Sequence, residues 1–352
     1  MLIKRLDEIN EDGTQKLKNM HVSNFPEMTL FLSELVLPNS NGNSDDNGDD
    51  GKVIVRYNPP VDEEAAKIST TCKESRTIEI PLKPDISESK TIDIVMHKSP
   101  TTAYDMGSKY NSWFSECFGF EVILAYIGRN RRQVLGSMAP SARKSLNNTP
   151  LTNKGEEENG WLSLVKSGLP SIRGLLGGGN AAAQKENEDR ILTFSDCASY
   201  LVASETSLHD VSDRLPDGEE MDVSKFRPNI VLSGAPTAWE EDFWGELSFQ
   251  PHDEKESVQL ILTSNCVRCV SINVDYASGK PGKGPSGQVF KRLAKDRRVD
   301  AGNKYSPVFG RYGFLKDPSK SVKIRVGDNV EVSKRLAERT IFGKFLFALF
   351  NT

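Results

Sequence analysis

With 352 residues the chain is long enough for two domains, or for one large domain carrying insertions. Its 45 basic residues are outnumbered by 49 acidic ones, so no basic surplus marks nucleic acid as a partner. Five cysteines, odd in number and irregularly spaced, make no disulfide framework and fit a reducing intracellular compartment. No apolar run approaches the roughly 20 residues of a membrane span, and the N-terminus carries no signal-peptide pattern.

In chain order, Met1-Leu2-Ile3 reads as a strand and Asp12-Gly13 as a turn after the polar run Asp7 to Glu11. Met28 to Leu35 alternates loosely, and Asn39 to Gly51 is polar enough to be a mobile hairpin tip. Val53 to Tyr57, Thr77 to Leu82 and Thr91 to Val95 are further strands, bounded by Pro or charged residues. A helix capped by Asp105 follows, with Tyr110, Trp113, Phe114 and Cys117 at helical spacing; Trp113 and Cys117 read as core. Glu121 to Ile127 is a buried strand. Many short strands with turn punctuation predict a small barrel or sandwich. Arg129, Arg131 and Arg132 then read as a solvated basic turn.

Residues 138–189 have the composition of a disordered insertion, with Asn-, Glu- and Gly-rich runs around scattered apolar residues such as Trp161. Replacing Leu146 to Glu188 by a short linker is expected to leave the melting temperature within a few degrees. Beyond it, Phe194-Ser195-Asp196-Cys197-Ala198 leads into the strand Tyr200 to Val202. Ser204 caps a helix through Leu215 that carries an exposed His209. Arg227, lying before Pro228, is expected to be extended, which aims its bidentate fork. Asp242-Phe243-Trp244 reads as core, and Phe290 to Arg297 as a basic helix with a solvated face, or one able to meet an acidic redox partner. The tail from residue 334 ends in a cluster of Phe and Leu too short to span a bilayer.

The most informative stretch is Asn265-Cys266-Val267-Arg268-Cys269. Val258, Leu260 and Leu262 alternate before it, and Val270, Ile272 and Val274 after it, so the pair is predicted on a turn between two strands. A neighbouring guanidinium favours the thiolate, the form that attacks or binds metal. A thioredoxin-type pair needs a helix after the second cysteine, and half of a zinc site needs a second pair. Those two readings are the weaker ones beside two others: small buried residues at a strand end, or one thiolate ligating a soft metal centre carried by a cofactor.

With Phe226-Arg227-Pro228-Asn229 before the pair and Ser306-Pro307-Val308-Phe309-Gly310-Arg311-Tyr312 after it, the chain resembles the MOSC domain, the C-terminal module of molybdenum cofactor sulfurases. More closely, it resembles the eukaryotic amidoxime-reducing component family, over most of its length. That resemblance implies a mixed, β-rich α+β fold. Its parts would be an N-terminal β-barrel (1–137), the insertion (138–189), a MOSC β-barrel domain with peripheral helices (190–333) and a tail (334–352).

The resemblance further implies a molybdenum–molybdopterin cofactor ligated by Cys269. Arg227, Asn229, Cys197, Ala198, Val267, Arg268 and Tyr312 would surround it; Cys197-Ala198 stands where relatives have Thr-Ser. The implied reaction is two-electron reduction of N-hydroxylated compounds, with cytochrome b5 and its reductase as electron donors. Relatives hold the cofactor phosphate with a Lys-Ser pair and an Arg upstream of the point where this sequence starts. The expectation is therefore that a first strand is missing, along with any anchor that would place the protein on the mitochondrial outer membrane rather than in the cytoplasm. Val165-Lys166-Ser167 is a chance copy of the pair. The alternative implied function is a MOSC module that carries or accepts the cofactor or its sulfur. The pyridoxal-phosphate desulfurase domain that accompanies such modules has no counterpart in this sequence.

Overall fold

A computed structural model describes residues 1–38, 51–60, 76–134, 138–140, 191–216, 218–252, 256–319 and 322–342. The expected loop at 39–50, nearly all of the insertion with Trp161 and Lys166-Ser167, and the Phe- and Leu-rich end of the tail lie outside these residues.

In the N-terminal half, β1 (Leu2–Ile9) and β2 (Gln15–Asn19) form a hairpin, with Gly13 in the left-handed turn at φ +81°. The loosely alternating stretch from Met28 opens as a 3-10 turn, Pro26–Leu30, because Pro26 presets its first residues; only then does β3 (Phe31–Val36) begin. β3 pairs with β4 (Lys52–Tyr57), which pairs with β5 (Thr77–Pro81). β6 (Thr91–Met96), β7 (Ser99–Asp105) and β8 (Val122–Tyr126) continue the sheet of β1 in the order β2-β1-β8-β7-β6. The two sheets make a near-closed barrel. β2, whose one apolar residue is Leu17, and β7, which opens Ser99-Pro100-Thr101-Thr102, carry little apolar signal, and neither was expected.

Helix α1 (Ser108–Phe118) packs against β8 and contributes Tyr110, Trp113, Phe114 and Phe118 to the core of this barrel. Asp105 belongs to β7 and caps from outside the helix, accepting from Gly107 N at 2.8 Å and Asn111 Nδ2 at 2.7 Å. Gly119, at φ +74°, ends the helix in the left-handed region where a Cβ is disfavoured. As expected, Trp113 and Cys117 pack on the core, and Phe114 is buried in it, within an aromatic stack in which Phe31 meets Phe118 at 4.6 Å and Tyr57 at 4.9 Å.

In the C-terminal half, β9 (Arg132–Gln133) and β10 (Ile191–Leu192) pair across the insertion. β11 (Tyr200–Ser204) leads into α2 (Glu205–Asp213), which stops short of Leu215. Ser204 occupies its N-cap, but the hydroxyl is buried and makes no cap bond; His209 is exposed as expected. Next come β12 (Ile230–Leu232), β13 (Trp244–Gln250), β14 (Val258–Val267) and the two-residue strands β15 (Val274–Asp275) and β16 (Lys280–Pro281). α3 (Val289–Leu293), β17 (Val308–Leu315) and β18 (Asn329–Arg335) complete the half.

One sheet, ordered β12-β11-β17-β14-β13-β18, forms a half-barrel with few helices. β11 and β12 run parallel and its other pairs antiparallel. The fold is thus the expected β-rich α+β class. The basic helix expected over Phe290 to Arg297 is only five residues long, and Arg297 is buried rather than solvated.

Candidate functional site

β14 carries the cysteine motif to the rim of the half-barrel. The strand runs through Cys266, which is buried, and Cys269 is exposed two residues beyond its end. The strand expected over Val270 to Val274 is instead a 3-10 turn, Val270–Asn273, with Cys269 as its N-cap residue. Ile272 and Val274 are buried while Val270 is half exposed, so an every-second-residue pattern arose from a turn followed by two strand residues. Cys269 Sγ lies 3.0 Å from Ser271 Oγ.

The positive charge in the motif serves Cys266 rather than Cys269. Arg268 is buried; its Nη1 donates to Cys266 Sγ at 2.8 Å and its Nη2 to Phe226 O at 2.5 Å. Its backbone N–H donates to Pro307 O at 2.8 Å. One side chain therefore ties the cysteine turn to the residue just before Arg227. Phe226 stacks on Phe309 at 4.0 Å. Gly310, at φ +82°, lets β17 approach Val202, whose carbonyl oxygen would sit 2.8 Å from any Cβ there. In this way the Phe-Arg-Pro-Asn and Ser-Pro-x-Phe-Gly-x-Tyr motifs brace the turn.

Tyr312 is buried and pairs with Cys266; burial, then the neighbouring thiols and Asp196, push its phenol well above the usual range. Burial, then Asp196 and Cys266, push the Cys197 thiol up to about 12, which keeps it protonated. Asn229 Oδ1 accepts from Leu201 N at 2.8 Å, and Asn229 N donates to Leu201 O at 2.8 Å, fixing the loop to β11. Ala198 is buried and Val267 half-buried. Arg268, Asn229 and Tyr312 thus hold the turn and its neighbours, whereas Cys269 and Arg227 present their functional atoms to solvent.

Arg227 departs from expectation in its backbone. It ends the 3-10 turn Val223–Phe226 at φ +54°, ψ +43°, with its N–H donating to Ser224 O at 3.0 Å. The following proline disfavours continuing the helix, and the chain leaves through the left-handed region instead of the extended one, a strain of roughly 1 kcal/mol or more. Its exposed fork reaches Asp196 Oδ2 at 3.3 Å. The His97 imidazole, with help from Arg227 and Arg268, holds Asp196 at about 2 against the opposing effect of burial.

The partners of other residues here carried no sequence signal. Arg132, expected in a solvated turn, is buried and donates to Thr193 O at 2.8 Å and to the carbonyls of Ser195 and Asp196, fixing the loop that carries Cys197. Under the cysteine turn, Asn265 Nδ2 donates to Asp300 Oδ2 at 2.9 Å and to Thr340 O at 2.8 Å. Arg311, fully buried, donates to Asn265 Oδ1 and Thr340 Oγ1 at 2.7 Å each. Asp242 accepts from Arg297 Nη2 at 2.9 and 3.0 Å and from Arg339 Nε at 2.7 Å. The start of the tail is therefore part of the floor beneath the motif.

Among the described residues no group of three or more His, Cys, Asp or Glu could hold a metal ion. A soft metal at Cys269 would therefore take its other ligands from a cofactor or from solvent. The residues fit such a group: an exposed thiol on a braced turn, and an exposed planar cation on Arg227, which follows the Phe226 carbonyl that Arg268 of that turn binds. Also among the described residues, no helix is long and apolar enough to cross a membrane.

Residues 189–331 match the MOSC domain family model. Mitochondrial amidoxime-reducing component 1 of Homo sapiens is 32% identical over 143 residues, covering 40% of this chain and 38% of the relative. The Mus musculus protein of that name is 33% identical over 141 residues, with the same coverage. Molybdenum cofactor sulfurase of Anopheles gambiae is 26% identical over 135 residues, covering 36% of this chain and 16% of its own length. The matched region is thus under half of the chain rather than most of it, and spans well under half of these relatives. Residues 189–331 are a MOSC domain, distantly related to the mitochondrial amidoxime-reducing components.

Proposed function

We propose that the chain is a molybdenum-cofactor oxidoreductase that reduces N-hydroxylated compounds, such as amidoximes and hydroxylamines, by two electrons, with the oxygen leaving as water. The observation that carries this reading is the contrast within the motif, where Cys266 is buried and bound by Arg268 while Cys269 is exposed. The bound molybdenum–pterin group would supply the two-electron redox step. Cys269 would give it a soft thiolate ligand. Arg227 would hold an anionic part with its planar fork, and the backbone at Cys197-Ala198 and Val267 would line the group. Arg268, Asn229, Tyr312 and Arg132 would keep these parts in register. In this reading residues 1–137 and 190–333 act as two domains, and the electrons come from cytochrome b5 and its reductase.

Metal and pterin analysis combined with turnover of benzamidoxime by reduced viologen tests the proposal. Cys269→Ser is expected to abolish turnover and to lower molybdenum content. Cys266→Ser keeps an acceptor for Arg268 and is expected to retain much of both. Equal loss of turnover in the two variants with metal content unchanged would show dithiol chemistry instead. A second reading, a module that carries the cofactor or its sulfur, is favoured by the similarity to the sulfurase. Molybdenum and pterin in the protein without any turnover of benzamidoxime would select it.

A further inference from the structure

The N-terminal barrel reaches this site through a strained hairpin tip. β6 and β7 pair up to Met96 opposite Ser99, which leaves a two-residue turn, His97-Lys98. Both residues are left-handed, at φ +50° and +65°. Such turns favour Asn and Gly, so a histidine there is held against its backbone preference. The tip directs His97 Nε2 to Asp196 Oδ1 at 3.6 Å, while the other oxygen of the same carboxylate takes Arg227 at 3.3 Å. His21 stands behind, its ring 6.0 Å from that of His97.

We infer that His97 is a positioning residue for Arg227, contributed by the N-terminal barrel, and that protonation of its imidazole strengthens the binding of an anion at Arg227. This rests on the reading of Arg227 as the residue that takes an anionic part of the cofactor. Asp196 is the shared counter-ion. With His97 neutral, the carboxylate is free to hold the Arg227 fork. With His97 protonated, the imidazolium on Oδ1 takes up part of the carboxylate's charge, weakens the hold of Oδ2 on the fork and adds one positive charge. The other groups facing the carboxylate are the guanidinium groups of Arg227, Arg268 and Arg132 and the Cys197 thiol, which burial pushes up to about 12. His21 faces it too, its imidazole pushed down by burial and then by His97 and Arg227, and Lys98 lies beside His97 in the tip.

Sulfate is a suitable probe, since its charge is constant between pH 6 and 8. Calorimetric titration into the full chain produced without cofactor would compare wild type, Arg227→Gln and His97→Asn. Asn tolerates the left-handed turn and carries no titratable group. Wild type is expected to bind sulfate on the order of fivefold to tenfold more tightly at pH 6 than at pH 8, as one added charge a few ångströms away implies. His97→Asn should bind with little pH dependence, and Arg227→Gln should lose binding at both pH values. Arg227-dependent binding with no slope in wild type, or with the slope retained in His97→Asn, would overturn the role of His97 alone. Binding undiminished by Arg227→Gln, or no sulfate binding in wild type, would overturn the reading of Arg227 and this inference with it.

Discussion

Both halves of the chain have apolar clusters, but among the described residues only the C-terminal half adds a buried network of charged and amide side chains to them. The N-terminal barrel encloses Phe25, Phe31, Phe114, Phe118 and Phe120, rings that contact one another and ask nothing of direction. The half-barrel encloses Glu241, Asp242, Asn265, Arg297, Asp300 and Arg311, all 3% exposed or less and within the stretch that carries the cysteine motif. Apolar burial is non-directional and sets volume, whereas buried polar groups are tolerated only when each finds its partner, so they fix position. The half that only has to enclose is oily. The half that has to hold Cys269 at a defined place is wired.

The sharpest way to break this contrast is to make near-isosteric changes in each interior. Asp242→Asn keeps shape but leaves the buried Arg297 and the half-buried Arg339 facing a neutral amide. It should cost about 3–5 kcal/mol, the usual penalty for breaking a buried ion pair. Phe114→Leu keeps an apolar side chain of similar reach and should cost roughly 1.5 kcal/mol or less. Chemical denaturation of both variants settles the order. Equal costs would mean that the two interiors are governed alike.

Glu241 sharpens the comparison, because among the described residues of the wired half it is a buried carboxylate left partly unanswered. It is fully buried, takes Ser207 Oγ at 2.7 Å on one oxygen, and has no partner on the other. Burial raises it from 4.5 to about 7. The folded state therefore holds this proton more tightly than the unfolded chain. The associated stability is fully present below pH 4.5 and is lost as pH rises through about 7. The loss amounts to something on the order of 3 kcal/mol, a magnitude that follows from one pKa unit being about 1.4 kcal/mol. Glu241→Gln should remove that slope and be more stable than wild type at pH 8 while matching it near pH 4.5. Parallel stability–pH curves for the two proteins would show that the carboxylate is already compensated.

The same contrast explains what the amino-acid sequence discloses. Strands such as Thr91–Met96 and Val258–Val267, and the helix with Trp113 and Phe114, were legible because apolar burial leaves a period in the chain. Cys269 and Arg227 were singled out by motif order, and both are exposed in the fold. The wiring was not, because a buried Arg297 or Arg132 looks the same in sequence as a solvated one. Its burial depends on partners 55 and 61–64 residues away. The turn after Cys269 misled for a related reason: Val270, Ile272 and Val274 have strand spacing, yet only the last two are buried. His97 left no trace at all, since its role comes from a hairpin tip that meets the other half of the molecule.

The smallest expected effect on stability falls at the boundary between the two halves. Arg227 is exposed and joined to Asp196 by a single contact, so the fold gains little from it; exposed ion pairs are worth about 0–1 kcal/mol. Arg227→Lys keeps the charge but replaces a planar fork with a point charge, which cannot make two parallel bonds to an oxyanion. It should therefore leave the melting temperature within a few degrees and lower the pterin and molybdenum content of the purified protein. The left-handed backbone adds a second expectation. Arg227→Gly should relieve strain at φ +54° and hold or raise the melting temperature, while losing the cofactor more completely than the lysine variant does. A large drop in melting temperature for Arg227→Lys with cofactor content unchanged would make Arg227 part of the wiring, a structural arginine that happens to lie at the surface.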